Sequence, residues 1–245
     1  MKTKPNKVVY TTLNHIGQQI AVVFQYGSDN SKTGDGVQIA CIPFEWILQG
    51  KQAMNKDSAV CFDCPHSKSN NATCYVRKGM SNYGLTSKVN SLHSAYLNGT
   101  LDCLPVDQIE TIEVPKLVGK FVRFGQYGEP VLLGERAVNS IAQVASNFTG
   151  YTHLWHLPKY AWAARYFMSS VETEALAIKA QSKGFRTFRV RSKQSEKQAN
   201  EVICPASLEG GRKVTCATCG LCKGNSIGAK SVTIIQHYEL KKIAP

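Results

Sequence analysis

The spacing of four cysteines in the last quarter of the sequence limits what this chain can fold into more than any other feature. Cys216, Cys219 and Cys222 follow the pattern C-x-x-C-x-x-C, and Cys204 lies upstream in a Cys-Pro pair. Two-residue gaps let consecutive sulfurs point inward from one tight loop, as an iron–sulfur cube or a tetrahedral zinc ion requires. These four cysteines therefore predict a metal-binding loop, which we call the second cysteine group.

Three further cysteines form a first cysteine group. Cys61, Cys64 and Cys74 are spaced C-x-x-C-x9-C, far upstream of the others. A closed structural site takes four ligands, so Asp63, His66, a small molecule or a distant cysteine would have to complete this one. The two groups hold one cluster each or share a single cluster, and the sequence leaves both arrangements open.

Length and composition favour a globular metalloprotein. The chain has 245 residues, of which 43% are hydrophobic, so it can bury a core without disulfide staples. Because secreted disulfide scaffolds are usually small, nine cysteines in this chain favour metal binding over disulfides. No segment approaches the roughly 20 apolar residues that a membrane span needs, and no secretory leader is evident. We therefore expect a soluble cytoplasmic protein with reduced thiols and no membrane partner.

The charge balance permits an anionic partner. Lysine and arginine outnumber the acidic residues by 29 to 17, which gives a net charge of +12. A nucleic acid or an anionic small molecule would suit this excess, although no stacking motif of aromatic and basic residues is evident. Arg189 and Arg191 share one face of a predicted strand. Facing a cavity they would bind phosphate or carboxylate, and facing solvent they would add to a basic patch.

We expect a single α/β domain over residues 1–245. Its parts are a β-rich segment (1–60), the first cysteine loop with a helix (61–115), β/α repeats (116–203), and the second cysteine loop with a final strand (204–245). The predicted strands are 117–124, 151–157, 167–171, 185–191 and 231–237, and the predicted helices of this half are 135–148 and 172–183. Repeated β-then-α units predict parallel strands with right-handed crossovers. A partial or irregular (β/α) barrel is favoured, with an open doubly wound sheet as the alternative.

Several polar residues are predicted to lie where parallel strands end, which is the edge where such folds place their chemistry. These candidates are Glu129, His153, His156, Glu172 and Arg191, and Arg189 joins them as a candidate for anion binding. The alternative for each is a solvated or capping role, and for the two histidines a packed aromatic cluster with Trp155 and Tyr151.

Several of these segments together resemble an uncharacterised cysteine-rich protein family of phages and bacteria. The resemblance covers most of the chain and implies a phage-encoded protein acting in the host cytoplasm, but it brings no established activity. The segments that carry it are Lys32–Asp35, Cys61–Pro65, Cys74–Val76, Gly150–Trp155, Gly184–Arg189, Cys204–Ser207 and the C-x-x-C-x-x-C run.

The chain also resembles, more distantly, the radical S-adenosylmethionine enzymes, which build a partial α/β barrel and hold a [4Fe–4S] cluster with three cysteines. By this resemblance Cys61, Cys64 and Cys74 would be the three ligands, and Gly128-Glu129-Pro130 looks like the loop that meets the amino group of the cofactor. The spacing C-x-x-C-x9-C departs from the superfamily pattern C-x-x-x-C-x-x-C, and the aromatic Tyr75 follows the last cysteine instead of preceding it. S-adenosylmethionine is therefore less favoured as a cofactor than the cluster alone.

Three thiols within seven residues crowd a single zinc ion but suit three corners of a cube. The sequence therefore predicts an iron–sulfur protein with a [4Fe–4S] cluster, and it leaves open whether the protein performs redox or radical chemistry on an anionic substrate. The alternative is a zinc-stabilised nucleic-acid-binding protein without catalytic activity. A third hypothesis is a redox sensor or cluster carrier.

Overall fold

The computed structural model of this protein describes residues 6–27, 33–70, 73–192, 195–211, 214–224 and 228–236. Lys32 and His237, which belong to a predicted motif and a predicted strand, lie outside these ranges. The strands are β1 (Lys7–Leu13), β2 (Gln19–Gln25), β3 (Val37–Pro43), β4 (Leu101–Pro105), β5 (Phe121–Arg123), β6 (Asn147–Thr149), β7 (Tyr151–Thr152), β8 (Met168–Val171), β9 (Thr187–Arg191), β10 (Glu201–Ile203) and β11 (Ser231–Ile235). The α-helices are α1 (Phe44–Gln49), α2 (Ser58–Cys61), α3 (Gly79–Leu97), α4 (Ile109–Ile112), α5 (Glu135–Val144), α6 (Glu174–Ser182) and α7 (Cys216–Cys219).

The strands within the described residues form two sheets. The larger has the order β4-β1-β2-β3-β5-β6, in which β2 runs antiparallel to β1 and β3 while the other neighbours are parallel. The smaller has the order β10-β11-β9-β8-β7 and is parallel throughout. The predicted α/β class with parallel strands is confirmed. Among the strands that the structure describes, no pairing closes either sheet into a barrel.

The chain passes from the larger sheet to the smaller one through a single residue, Gly150, which separates β6 from β7. Glycine is required there because a Cβ atom would lie 2.5 Å from the ring of Phe167. Backbone pairing continues across the junction, since Phe124 N–H donates to Thr149 O (2.8 Å) and Met168 N–H donates to Gly150 O (3.1 Å). The parallel strands β3, β5, β6, β7, β8 and β9 therefore form one continuous row whose carboxyl ends lie on the same side.

Helix α6 shows how local sequence shapes this half of the fold. Thr173 caps its first turn by accepting a hydrogen bond from the Leu176 N–H (3.2 Å), and Gly184, at φ +83°, follows its end. Ala177 and Ala180 are buried, which lets the helix pack closely on β8 and β9. The amphipathic α5 likewise buries Ala137, Val138 and Ile141, which is the apolar face expected from the 3.6-residue period.

Three predicted elements were too long. The predicted strand 117–124 is only Phe121–Arg123, and the predicted helix 135–148 ends at Val144, so that Asn147–Thr149 becomes a strand. The predicted strand 151–157 is only Tyr151–Thr152, followed by a 3₁₀ helix at Leu154–His156. Each error lies at an end of the element, because pairing with a neighbouring strand, and not the local pattern, determines where the conformation changes.

One large cluster of buried apolar side chains takes residues from both sheets, and Cys41 lies within it, as its apolar surroundings in the sequence suggested. A smaller cluster forms around Met168, Cys204, Ala206 and Val232 on the parallel sheet. Of the helices in the described ranges, none combines the length and apolar character that crossing a membrane demands.

Candidate metal centre

The second cysteine group gathers around one cavity. Cys216 and Cys219 lie at the two ends of α7, Cys222 lies in the next turn, and Cys204 follows β10. All four line the same cavity, whose remaining walls are largely apolar and include Leu221 and Val232. All nine cysteines of the chain carry free thiols, so no disulfide competes for these sulfurs.

Local backbone chemistry explains how the sulfurs converge. Gly220 ends α7 in the left-handed region at φ +68°, which turns the chain back within one residue of Cys219. The Cys204 N–H donates to the Thr233 carbonyl (2.9 Å), so the fourth cysteine is fixed to the edge of β11. The sequence spacing and a single left-handed glycine together place the four thiols around the cavity.

The pKa of the Cys222 thiol is raised to about 12, mainly by burial; a hydrogen bond from Tyr151 lowers it, and its three cysteine neighbours raise it. A metal binds the thiolate form, so loading this group must release protons. Arg186 and Arg123 bring positive charge close to the sulfurs, because Arg186 interacts with Cys222 and Arg123 with Cys216. The cavity is therefore apolar in its walls but has cationic groups at its edge.

Arg186 fastens the loop that carries these cysteines. Its guanidinium donates hydrogen bonds to the carbonyls of Ala229 (3.1 Å), Gly224 (2.9 Å) and Leu221 (2.9 Å), and also to that of Lys230. Four carbonyls that no strand or helix satisfies are thus paired by one buried side chain. Arg186 falls within a predicted strand, but the sequence does not reveal this role, because a single arginine beside a strand carries no spacing signal.

The second cysteine loop lies at the amino ends of the parallel strands. Asn147, the first residue of β6, donates from its side chain to the Ala217 carbonyl (3.0 Å), and Arg186 immediately precedes β9. A Cβ atom on Gly224 would lie 2.2 Å from the carbonyl oxygen of Arg165, which precedes β8. The loop therefore packs against the edge opposite to the one where sequence analysis expected the chemistry.

The first cysteine group lies in a loop organised by a buried carboxylate. Asp57 accepts hydrogen bonds from the Lys68 N–H (2.9 Å), from the Ser69 N–H (3.2 Å) and hydroxyl (2.7 Å), and from the Tyr127 hydroxyl (3.1 Å). These bonds tie both sides of the loop to one point. No pattern in the sequence points to Asp57, since its partners lie more than ten positions away.

The three thiols of the first group are close enough to interact electrostatically. Burial is the main reason why the pKa of Cys61 lies well above its ordinary value, and Asp57, Cys64 and Cys74 add to the effect. Backbone hydrogen bonds hold the turn, from Cys64 N–H to Cys61 O (2.9 Å) and from Cys74 N–H to His66 O (2.8 Å). The spacing of nine residues between the second and third cysteine is thus compatible with one compact loop.

His153 joins this loop from the carboxyl end of β7. Its Nε2 lies 3.6 Å from Cys64 Sγ, and its Nδ1 lies 3.2 Å from Glu129 Oε1. Glu129 is buried and also accepts from the Thr152 hydroxyl (2.6 Å) and the His153 N–H (3.0 Å). Burial alone would lower the pKa of His153, but Cys64, Glu129 and Glu172 together raise it well above its ordinary value.

Glu172, at the carboxyl end of β8, completes this part of the site. Its Oε1 lies 3.3 Å from His153 Nε2 and 3.4 Å from His66 Nε2, while His66 Nδ1 contacts the Thr73 hydroxyl (2.8 Å). Burial favours the protonated acid, but the two histidines hold the pKa of Glu172 at about 2. The predicted gathering of Glu129, His153 and Glu172 at the strand ends is therefore found next to the first cysteine group.

The loop Gly128-Glu129-Pro130 also lies against this group, because the Glu129 N–H donates to the carbonyl of Val60 (3.0 Å), the residue before Cys61. Gly128 is at φ +70°, and a Cβ atom there would lie 2.4 Å from the Cys41 carbonyl oxygen. His156 contacts Asp63 (3.7 Å) and the His153 carbonyl (3.0 Å). It packs edge-on against Trp155, as the aromatic alternative suggested.

The two arginines expected to bind an anion are paired within the protein. Arg189 is buried and forms a two-pronged ion pair with Glu201 (2.7 and 2.6 Å), and Arg191 pairs with Glu209. The prediction that they share one face of β9 is confirmed, but this face is the buried one. Their charges are therefore neutralised by carboxylates, which removes the structural basis for assigning them to an anionic substrate.

The Arg189–Glu201 pair is expected to make stability depend on pH. Burial would raise the pKa of Glu201, but Arg189 and the Gln198 N–H hold it below its ordinary value. The contribution of the pair is therefore fully present above the unfolded-chain pKa of about 4.3 and is lost as the pH falls through the folded value. Urea unfolding across this acidic range should show less acid sensitivity for Glu201→Gln than for the natural protein. Parallel pH profiles for the two proteins would contradict this expectation.

Within the described ranges, no group of three or more His, Cys, Asp or Glu side chains is arranged so as to hold a metal ion. No protein-family model, curated protein or solved structure matches this chain. Metal binding, the resemblances and the cofactor therefore stay predictions, and what the structure adds is the placement of the thiols and of the residues around them.

Proposed function

We propose that this protein binds an iron–sulfur cluster of the [4Fe–4S] type through Cys204, Cys216, Cys219 and Cys222. The observation that carries the proposal is that these four thiols, and no others, line one cavity with largely apolar walls. Four cysteine thiolates are the usual ligand set of such a cluster. In a cube each ligand sulfur binds a different iron atom, so the four sulfurs stand farther apart than the donors to a single zinc ion.

The surroundings of the cavity support a redox role for the cluster. Met168, Phe188 and Val232 pack beside the cysteines and limit the access of water. Tyr151 and two arginines offer hydrogen bonds and positive charge, which offset the negative charge of a thiolate-ligated cluster. When bound, the cluster would supply one-electron chemistry, while these residues orient the loop and exclude solvent.

The first cysteine group supports the wider hypothesis of redox or radical chemistry. Cys61, Cys64 and Cys74 lie beside His153 and Glu129 at the carboxyl ends of the parallel strands. The continuous row of parallel strands also favours a partial barrel, and we propose that this edge holds the substrate. Cys61, Cys64 and Cys74 then form a second metal environment that exchanges more readily than the first, because they provide three thiols instead of four.

Anaerobic purification followed by iron, sulfide and zinc analysis tests the proposal. We expect brown protein with broad absorbance near about 400 nm and with iron and acid-labile sulfide in equal amounts. A Cys204→Ser variant should lose most of that colour, whereas Cys103→Ser, which changes an exposed cysteine on β4, should keep it. Colourless protein with stoichiometric zinc would contradict the proposal and favour the zinc-stabilised nucleic-acid-binding alternative.

A further inference from the structure

A row of polar side chains lies between the two cysteine groups. Tyr75, which follows Cys74 in the first group, accepts a hydrogen bond from Arg123 on β5. Arg123 is paired in register with Thr149 on β6, so the two side chains project from the same face of the sheet. The Thr149 hydroxyl then donates to the Tyr151 hydroxyl (3.2 Å).

The far end of this row reaches the second cysteine group. Tyr151 hydrogen-bonds with the sulfur of Cys222 and packs in the same apolar cluster as Cys216. Its ring lies against Phe188, with 4.3 Å between the ring centroids, so the hydroxyl is held towards the sulfurs. Arg123 also interacts electrostatically with both Tyr151 and Cys216. One guanidinium therefore contacts Tyr75, the residue that follows Cys74, and lies within electrostatic reach of the second group.

The position of Arg123 matters because a cluster gains negative charge on reduction. A nearby cation and hydrogen bonds to the ligand sulfurs favour the reduced state and so raise the reduction potential. Arg123 is half-buried, so solvent screens its charge less than that of a fully exposed arginine. A shift of the guanidinium towards or away from the second group would therefore change the potential of its cluster.

We propose that Arg123 couples the two cysteine groups, so that the position of Tyr75 in the first cysteine loop sets the reduction potential of the cluster held by the second group. Tyr75 holds the guanidinium of Arg123 from the side of the first loop. Tyr151, which interacts with both Arg123 and Cys222, transmits the effect of that charge to the second group. The inference rests on the proposed function, because it requires a cluster at the second group.

Redox titration of the anaerobically reconstituted protein, followed by electron paramagnetic resonance, tests the coupling. Arg123→Gln should shift the midpoint potential of the cluster to more negative values. At a fixed applied potential the ratio of oxidised to reduced cluster should rise about tenfold, which corresponds to a shift of about 59 mV for one electron. Tyr151→Phe should shift it in the same direction. Tyr75→Phe, although it changes the first loop, should also shift the potential, but only while Arg123 is present.

The double variant Tyr75→Phe/Arg123→Gln decides the matter, since its potential should equal that of Arg123→Gln alone. Tyr96→Phe and Arg136→Gln are matched controls, because both side chains are exposed and neither contacts a cysteine group; they should leave the potential unchanged. This inference alone would be overturned if Tyr75→Phe left the midpoint potential unchanged, or if it shifted the potential equally in the Arg123→Gln background. A protein that assembles no cluster would overturn the inference and the proposed function together.

Discussion

Replacing Cys216, Cys219 or Cys222 with serine should remove most of the bound metal and lower the melting temperature of the anaerobically purified protein. The loop that carries them is short and has little apolar material of its own, so it depends on the bound group for part of its stability. A ligand present at about 100 times its Kd adds about 2.7 kcal/mol to the free energy of unfolding. At about 2–4 °C per kcal/mol, losing it should lower the melting temperature by roughly 5–11 °C.

The matched controls for this prediction are serine replacements of the two cysteines outside both groups. Cys103 is exposed, so Cys103→Ser should change neither metal content nor melting temperature. Cys41 is buried in the main core, so Cys41→Ser should lower the melting temperature without removing metal. Unchanged metal content and melting temperature in all three loop variants would show that the second group is not a metal site.

Replacing Arg186 with methionine should destabilise the protein by roughly 3–4 kcal/mol, because it leaves four carbonyl groups without the cation that pairs them. Methionine keeps much of the length and the apolar stem of the side chain, so the loss isolates the guanidinium. Lysine should recover only part of the stability, since a single ammonium donates at most three hydrogen bonds and lacks the planar fork. Urea unfolding of the metal-free protein measures both effects.

Arg136→Met is the matched control for this replacement. Arg136 is exposed and pairs with Glu110 at the surface (2.8 Å), where solvent screens the pair, so its loss should change the stability little. In addition, Arg186→Met should bind less cluster than the natural protein, because the carbonyls of Leu221 and Gly224 belong to the cysteine loop. Equal destabilisation by the two replacements would show that Arg186 does not fasten the loop.

The local elements of the fold follow from sequence where the pattern is complete within one element. Helix α6 has its capping threonine, its buried alanines and its terminal glycine in one stretch, and its predicted and observed bounds agree within two residues. The strands β8, β9 and β11 are continuous runs of suitable residues and were also found. By contrast, β6 and β7 are three and two residues long, and they exist because β5 and β8 pair with them.

The candidate sites divide in the same way. Cysteine spacing indicated the two groups, and strand ends indicated Glu129, His153 and Glu172, because both signals are local. Arg189 and Arg191 were predicted to bind an anion because they share one face of a strand. Their partners Glu201 and Glu209 lie 12 and 18 positions away, where no spacing rule reveals them. The roles of Asp57, Arg123 and Arg186 escaped sequence analysis for the same reason, since each acts through distant backbone or side-chain groups.

The sequence alone determined three features of this protein: seven cysteines in two ligand-like sets, an alternation of strands and helices, and an excess of positive charge. The tertiary structure alone decided where those groups lie, with the second cysteine loop against the amino ends of the strands and the first beside His153 at the carboxyl ends. The spacing of the thiols is fixed by covalent bonds along the chain. Which end of the sheet a loop covers depends instead on contacts between residues far apart in sequence, such as those of Arg186 and Gly224.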